Sequence, residues 1–583
     1  MNTETKTCQS CKQEFTIDSV DLTFYEKIEV PPPTWCPWCR MVRRMAFWNE
    51  RSFFRVIDTE GKSILSTYPS ESLLKIIDKD LWFSDAFDGT TYGMEYDFSR
   101  SFFEQYKELL EAVPVPHRSG SNLVNSEYSN NADNLKNCYM CFNSNTCENC
   151  MYTVFGSKVK DSIDTNNISS STLLYDVDTG SDCNKVFFGG EVDSSYNSWL
   201  LYDCDNVSDC FGCVGLRGKK YHIFNIAYSK DEYMKKLEEM NIGSYGALEQ
   251  HKKRWRDLML RVPRRYYSGV QNTQVIGENI CHSKNVKYCF KGCSLENVAY
   301  SQALAPGVKD SYDFTNWGIN AELVYETVDS GTNLHNVKFS YQCVQSSDIY
   351  YCLISMNLKD CFGCTSLRGK QYCILNKQYT KEEYEAILPK ILQHMRDVPY
   401  IDSRGRIFTY GEFFPSELSP FAANETALLE TANMNKDDIL NFGLVWREPK
   451  ATEYKITLQA LDLPDHISQT NETISQEIIE CLDCHRAYRV APVEFAFLKE
   501  NGIPLPRKCH NCRFKDRATF HNLPRWYQGS CTCNGSASLK GVYQNQAEHF
   551  HGTEPCPNTY VTTYSPDRPE VVYCEQCYQQ EIV

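Results

Sequence analysis

Asn134-Leu-Lys-Asn-Cys138-Tyr-Met-Cys141 opens a region, Asn134 to Asn225, in which related short phrases return at a spacing of 12 residues. Small or apolar residues alternate with polar ones in each phrase, which is the pattern of a short β-strand. The residues that mark the spacing are Leu135, Cys147, Val159, Ser171, Cys183, Ser195 and Val207.

Short strands at a fixed step, separated by turns of Asn, Asp, Ser and Gly, are typical of a solenoid whose stacked coils share one core. We therefore predict a β-solenoid in which 12 residues form either one small coil or half of a flattened coil. A run of antiparallel hairpins is the alternative, because hairpin-rich sandwiches also place strands roughly 8 to 12 residues apart.

An altered copy of this region follows at residues 285–376. The phrase Cys210-Phe-Gly-Cys213-Val-Gly-Leu-Arg-Gly returns 151 residues later as Cys361-Phe-Gly-Cys364-Thr-Ser-Leu-Arg-Gly. The sequence thus predicts a mainly β, multi-domain protein with duplicated β-solenoid units and a few connecting helices.

The length and composition of the chain indicate its number of domains, its location and the state of its cysteines. A chain of 583 residues is too long for one core and should hold several domains. We expect neither a secretion signal nor a membrane span, because Met1 to Lys6 is polar and no segment approaches the roughly 18 uninterrupted apolar residues of a span. A cytoplasmic location follows, where the 29 cysteines are more often ligands or small core residues than disulfides.

Two sets of paired Cys-x-x-Cys motifs predict metal sites near the two ends of the chain. In each set 24 residues separate the pairs, and four thiolates can surround one tetrahedral zinc ion with no position left open. The ligands expected are Cys8, Cys11, Cys36 and Cys39 in the first set, and Cys481, Cys484, Cys509 and Cys512 in the second.

Both sets resemble a small bacterial family of probable zinc-ribbon or treble-clef domains. The resemblance rests on the cysteine spacing, on shared aromatic positions such as Phe15 and Tyr488, and on Arg40 and Arg513 directly after the fourth cysteine. It implies structural zinc at both sets and little about activity. The chain as a whole resembles large uncharacterised proteins of candidate-phylum bacteria that carry several zinc ribbons.

The last 60 residues or so hold more candidate ligands than one zinc ion needs. The end of the chain resembles another bacterial zinc-ribbon family, but Thr553 stands where that family has a cysteine. Either His551 replaces the missing ligand, or Cys531 and Cys533 complete the site while Cys556 packs nearby. The candidates are Cys531, Cys533, His549, His551, Cys556, Cys574 and Cys577, and about three zinc ions are expected in the whole chain.

Further Cys-x-x-Cys pairs lie inside the repeats. Cys138 with Cys141 and Cys147 with Cys150 have only an incomplete counterpart in the second copy. We expect these cysteines to be small core residues, since free cysteine behaves as a small hydrophobe, and a metal or iron–sulfur site is the alternative.

Basic residues cluster in three places. The helix expected after Cys39, which contains Arg40, Arg43 and Arg44, should pack its aromatic residues on the solenoid and leave its arginines in water. Contact of these arginines with nucleic-acid phosphates is the alternative. A basic helix predicted over Tyr245 to Leu260 should be a connector with a solvated face, and contact with nucleic-acid phosphate is the alternative. The residues that could contact nucleic acid are Arg507, Lys508, Arg513, Lys515 and Arg517.

The favoured function is a non-enzymatic, zinc-binding scaffold for a protein or polymer partner. The alternatives are an RNA- or DNA-binding protein and a zinc-dependent hydrolase with Glu548 or Glu554 as base; no other catalytic residues are predicted. The expected divisions are a treble clef at 1–55, a mixed linker at 56–112, solenoid units at 113–261 and 262–400, a wrapping segment at 401–475, a second treble clef at 476–525 and a zinc ribbon at 526–583.

Overall fold

A computed structural model describes residues 3–448 and 454–582. The segment before the repeats folds into short hairpins and helices. Its strands β1 to β5 span Glu4–Thr7, Glu14–Ile17, Phe54–Ile57, Ser63–Ser66 and Ile76–Ile77, and its helices α1 to α4 span Ser19–Lys27, Pro37–Met45, Lys79–Phe83 and Phe102–Ala112. We call residues 4–51 the first cysteine module.

The first solenoid unit, residues 120–227, is a stack of parallel strands that ends in a short antiparallel pair. Ile163 pairs with Tyr175 and Leu174 pairs with Val186, so each residue lies beside the one 12 positions later. This spacing shows that 12 residues form a complete coil and excludes the hairpin alternative. Strand β6, Val115–Pro116, pairs with β5 and precedes the unit. The strands of the unit, β7 to β16, span Gly120–Val124, Ala132–Lys136, Met151–Ser157, Ile163–Ser169, Thr172–Ser181, Asn184–Asp193, Tyr196–Asp205, Ser208–Phe211, Lys220–Ile223 and Ile226–Ala227.

Almost every third residue of this unit adopts a left-handed backbone conformation. The φ angles of Asn134, Asn137, Met140 and Asn143 are 56°, 53°, 53° and 48°. These residues are the corners of one coil, which therefore has four sides of three residues each. Asn and Asp tolerate this conformation better than most residues, which explains their abundance in the repeats.

The residue after each corner fills the interior of the coil. Leu135, Cys138, Cys141 and Ser144 follow the four corners of one coil, and each is at most 3% exposed. Four side chains share this narrow interior, so only small or moderately sized residues fit. A Cys-x-x-Cys pair in the solenoid consequently marks two successive sides of a coil, and these cysteines belong to the core.

Hydrogen bonds join the coils both inside and outside. In the interior, the Ser144 hydroxyl donates to the Phe142 carbonyl (2.8 Å) and accepts from the Gly156 amide of the next coil (3.0 Å). On the surface, corner side chains of successive coils form a ladder, in which the Asn125 amide donates to Asn137 and the Asn137 amide donates to Asn149, both at 3.1 Å. Corner residues thus stabilise the stack as well as turning the chain.

Helices α5, Lys230–Glu239, and α6, Tyr245–Met259, lead to the second solenoid unit, residues 269–378. Some of its coils have 13 residues, as in the pair Tyr312 and Tyr325, because an extra residue enters at a corner. Strands β17 to β30 span Arg264–Arg265, Gly269–Val270, Thr273–Cys281, Lys284–Cys293, Glu296–Ala299, Gln302–Leu304, Lys309–Trp317, Tyr325–Val328, His335–Val344, Ser347–Tyr350, Leu353–Met356, Lys359–Phe362, Gln371–Ile374 and Lys377–Gln378.

Cys281 and Cys293 lie opposite each other on neighbouring coils and form a disulfide. They are partly exposed at the surface of the second unit. Ligands and small core residues were expected to be more common than disulfides, and nothing in the sequence singled out this pair.

The rest of the chain wraps the two units and forms two further modules. The second cysteine module is residues 479–525, and the C-terminal cysteine module is residues 527–582. Helices α7 to α12 span Lys381–Asp397, Leu428–Ala432, Lys436–Phe442, Pro492–Glu500, His510–Ala518 and Glu575–Ile582, and strands β31 to β38 span Tyr400–Ile401, Ile407–Phe408, Leu458–Gln459, Ile479–Glu480, Ala487–Tyr488, Tyr527–Ser530, Thr559–Thr562 and Val572–Tyr573.

The modules and the solenoid units have a crossed arrangement: the first cysteine module packs on the second unit, and the second cysteine module packs on the first unit. Helix α2 of the first cysteine module lies on β23 and β24 of the second unit, and α11 of the second cysteine module lies on β10 and β11 of the first unit. The two modules also touch, since the Arg51 guanidinium lies 3.7 Å from the centre of the Phe514 ring. Within residues 3–448 and 454–582, no helix has the length and apolar character needed to cross a membrane.

Candidate metal centres and their docking helices

The first cysteine module brings Cys8, Cys11, Cys36 and Cys39 together, with their sulfurs within 4.8 Å of one another. The sulfurs of Cys11 and Cys36 are 3.8 Å apart. Four sulfurs bonded at about 2.3 Å to one tetrahedral ion stand about 3.8 Å from each other, so the spacing fits a bound metal. The Cys36 amide also donates to the Cys8 sulfur at 3.3 Å, which stabilises a thiolate.

The second cysteine module repeats this geometry with Cys481, Cys484, Cys509 and Cys512. Here the sulfurs of Cys484 and Cys509 are 3.7 Å apart, and the Cys509 amide donates to the Cys481 sulfur at 3.2 Å. Burial raises the pKa of Cys481, but backbone amides of Cys484 and Cys509 outweigh it and lower the value to about 7. Both modules can thus hold a metal ion on four predicted cysteines.

Each four-cysteine site includes the start of a helix. Cys36 is the N-cap of α2, with Pro37 at the first helical position, and Cys509 is the N-cap of α11. Proline suits the first turn because the N–H group that it lacks would have no hydrogen-bond partner within the helix at that position. The position of the ligands therefore fixes where each helix begins and which residues it presents to the solenoid.

Helix α2 presents three arginines that are at most 1% exposed: Arg40, Arg43 and Arg44. Asp313, a corner of the second unit, accepts from Arg40 Nε through Oδ2 at 2.9 Å and from Arg44 Nη1 through Oδ1 at 2.9 Å. Arg43 bridges Glu326 (2.7 Å) and Glu412 (2.8 Å). The expectation that these arginines lie in water is therefore wrong, because buried carboxylates of the solenoid and the wrapping segment pair with them.

Helix α11 uses the same arrangement on the first unit. Asp164 accepts from Arg513 Nε through Oδ2 at 2.6 Å and from Arg517 Nη2 through Oδ1 at 3.2 Å. Arg517 also pairs with Asp176 at 2.7 Å, and Arg513 pairs with Glu494 of α10 at 2.8 Å. Buried pairs need such multiple hydrogen bonds, since desolvation of the charges opposes their attraction.

The structure places the five residues expected at a nucleic-acid surface in different environments. Arg513 and Arg517 are buried in the docking contact just described. Arg507 is buried and donates to the carbonyls of Leu463 and Pro464, and Lys508 pairs with Asp483 and Asp516. Lys515 is exposed.

A cleft of about 320 Å³ lies between α6 and α11 on the first solenoid unit. Its lining combines Lys252 and Arg256 of α6 with Arg507 and Lys508 before α11. Two basic stretches that are far apart in sequence are thus neighbours in space. Sequence periodicity gave no sign of this contact.

The C-terminal cysteine module contains two ligand groups rather than one. The first is Cys531, Cys556, Cys574 and Cys577, and the second is Cys533, His549, His551 and Cys577. Each of the seven candidate ligands expected in this region, His549 included, belongs to one of the groups. Four groups in the described residues can therefore hold metal, one more than the three ions expected.

The cysteines of the solenoid interior do not form such groups in the described residues. Their thiols face backbone carbonyls instead, as when Cys141 Sγ lies 3.4 Å from the Cys150 carbonyl. This surrounding suits a protonated thiol that donates weakly to oxygen.

No family model matches the chain, and no curated protein is similar to it. Solved structures with similarity include one named "putative acetyltransferase from Desulfovibrio desulfuricans G20", with 10% identity over 49% of this chain and 77% of that one. Its TM-score is 0.11, too low to support any conclusion about fold or function.

Proposed function

We propose that the protein is a non-enzymatic scaffold for a protein or polymer partner, in which structural zinc ions fix the cysteine modules on the solenoid units. One observation carries this proposal: the same combination occurs twice. In each module a four-cysteine site includes the start of a helix, and arginines of that helix are buried against a solenoid carboxylate, Asp313 or Asp164. An ion that fixes the helix start therefore also positions the arginines.

Zinc suits these sites because four thiolates in a tetrahedral arrangement are its usual structural ligands. The four protein ligands leave no open position for a substrate, as expected of a structural ion. Small modules of this kind have little apolar core, so the ion contributes on the order of 10 kcal/mol to their folding.

Paired substitutions test the proposal. We expect Cys481→Ser/Cys484→Ser to lose one zinc ion in native mass spectrometry and to make α11 sensitive to limited proteolysis. The matched control, Cys147→Ser/Cys150→Ser, changes a Cys-x-x-Cys pair of the solenoid interior and should keep every ion. Unchanged protease resistance of α11 after loss of the ion would contradict a structural role.

RNA or DNA binding is the second candidate function, and the shared basic cleft supports it. Because Arg513 and Arg517 are engaged in docking, the contacts to phosphate would come from exposed residues, Arg256 of α6 and Lys515 of α11. Charge reversal at these two positions should abolish binding to mixed RNA and DNA pools, and binding should weaken steeply with salt. Binding that ignores salt would remove this candidate.

A zinc-dependent hydrolase has less support. Such an enzyme keeps one coordination position open for water. Each ligand group offers four protein ligands, which leaves no position open for a water. Turnover that disappears in Glu548→Gln or Glu554→Gln would restore this candidate.

A further inference from the structure

One thiol in the C-terminal cysteine module belongs to two ligand groups. Cys577 lies with Cys531, Cys556 and Cys574 on one side, and with Cys533, His549 and His551 on the other. Within each group every ligand atom lies within 4.8 Å of the others. Two ions bound in these groups would therefore share the Cys577 sulfur.

The four-cysteine group has the geometry of the two other modules. The Cys556 sulfur lies 3.7 Å from that of Cys577 and 3.8 Å from that of Cys574, close to the edge of a tetrahedron around zinc. The Cys574 amide donates to the Cys531 sulfur at 3.2 Å, repeating the contact seen at Cys8 and Cys481. This group can hold an ion without help from the histidines.

His551 is oriented as a ligand of the second group. Its Nδ1 lies 2.6 Å from the Glu554 carbonyl, which can only accept, so Nδ1 carries the proton. The free lone pair is then on Nε2, which lies 3.3 Å from the Cys577 sulfur. Metal-bound histidines commonly donate their other ring proton to a carbonyl or carboxylate in this way.

In His549 the two ring nitrogens exchange roles: Nε2 makes the hydrogen bond, and Nδ1 keeps the free lone pair. Its Nε2 lies 3.2 Å from Oε2 of Glu581, whose other oxygen accepts from the Tyr543 hydroxyl at 2.8 Å. The residue is only 4% exposed, and its buried Nδ1 has no hydrogen-bond partner in the described part of the chain. An unpartnered buried nitrogen is costly unless it binds something, which identifies Nδ1 as the ligand atom.

We propose that the C-terminal module binds two zinc ions bridged by the Cys577 thiolate. One ion has four sulfur ligands, and the other has Cys533, Cys577 and the two histidines. The five thiolates nearly balance the four positive charges of two zinc ions, so neither ion needs a further anionic ligand. The proposal rests on the zinc assignment made above but is separate from the docking role of the other modules.

Native mass spectrometry of the full chain tests the sharing of Cys577. We expect four zinc ions in the wild type, three in His551→Ala and three in Cys531→Ala, because each of these removes a ligand from one group only. Cys577→Ala removes a ligand from both groups and should lower the count to two. Four ions retained in His551→Ala, or three in the wild type, would overturn the proposal.

The two ions of the other modules act as internal controls. A variant that fails to fold would lose them as well, whereas failure of the proposed zinc scaffold itself would appear as their absence from the wild type.

Cobalt substitution gives a second, spectroscopic test. Two metal–sulfur bonds of about 2.3 Å limit the distance between bridged ions to about 4.6 Å. The cobalt-loaded protein should therefore show magnetic coupling of one pair of ions, and the coupling should vanish in His549→Ala. Four uncoupled cobalt ions would exclude a bridging thiolate.

Discussion

At the scale of single residues, two aspartates connect the modules to the solenoid. Asp164 and Asp313 are both left-handed corners, with φ of 57° and 54°, and each joins two arginines of one helix through its two carboxylate oxygens. The equivalence of Arg40 and Arg513 was visible in the sequence. Their partners were not, because Asp164 and Arg513 are 349 residues apart and no local pattern links them.

Asp164→Asn should destabilise the docking of the second cysteine module. It removes the carboxylate that the two buried guanidinium groups share and leaves Arg513 only Glu494 and Arg517 only Asp176. Breaking a buried pair typically costs about 3 to 5 kcal/mol. The loss should appear as a lower melting temperature and as faster proteolysis near α11. Asp161→Asn is the matched control, because Asp161 is an exposed corner of the same coil, and a melting temperature lowered equally by both variants would contradict this role for Asp164.

At the scale of the element, the three-residue side explains the composition of the repeats. The sequence reveals the coil through its 12-residue spacing and leaves the coil length open, and the structure settles it through pairs such as Ile163 and Tyr175. The shorter period was missed because corners accept residues as different as Asn137 and Met140, and because interior positions mix Cys, Ser, Val, Leu and Gly. The disulfide between Cys281 and Cys293 was missed because the spacing of 12 residues is shared by all stacked positions.

Substitution at Asn137 tests the corner. Its φ of 53° is unfavourable for β-branched side chains, so Asn137→Val should cost about 1 to 2 kcal/mol from backbone strain, in addition to the lost ladder contacts. Asn137→Gly loses the same ladder contacts without the strain and serves as the control. Thermal unfolding of the two variants should rank Gly above Val, and equal stability would argue against a strained corner.

At the scale of the whole molecule, the crossed arrangement places cysteine modules from both ends of the chain on the two solenoid units in its middle. Four-cysteine sites at both ends could be predicted from spacing, because ligand pairs are local in sequence. The crossing itself could not, since it depends on contacts between distant segments. Buried carboxyl groups lie where the segments meet, among them Glu278, which is 5% exposed and accepts from Thr563 at 3.0 Å.

The stability of this junction should depend on pH. Burial raises the pKa of the Glu278 carboxyl to about 7 from its ordinary value, despite the donors Thr563 and Ser268 and the nearby charges of Arg265 and Arg568. Between about pH 4.5 and 7 the unfolded chain has lost this proton while the folded chain keeps it, so stability falls as pH rises through that window.

Glu278→Gln should remove this dependence. Relative to the variant, the wild type should lose up to about 3 kcal/mol of stability between pH 5 and pH 8. Thermal unfolding of both proteins at the two pH values measures the change, and the common effect of pH on the metal sites cancels in the comparison. An identical difference at both pH values would contradict the buried, protonated state.

Hydrogen–deuterium exchange before and after removal of the metal ions tests most directly whether those ions hold the modules on the solenoids. We predict that chelation deprotects α2 and α11 together with the coils that carry Asp313 and Asp164, while the interior amides of the central coils stay protected. Unchanged protection of α2 and α11 in the metal-free protein would contradict the proposed scaffold.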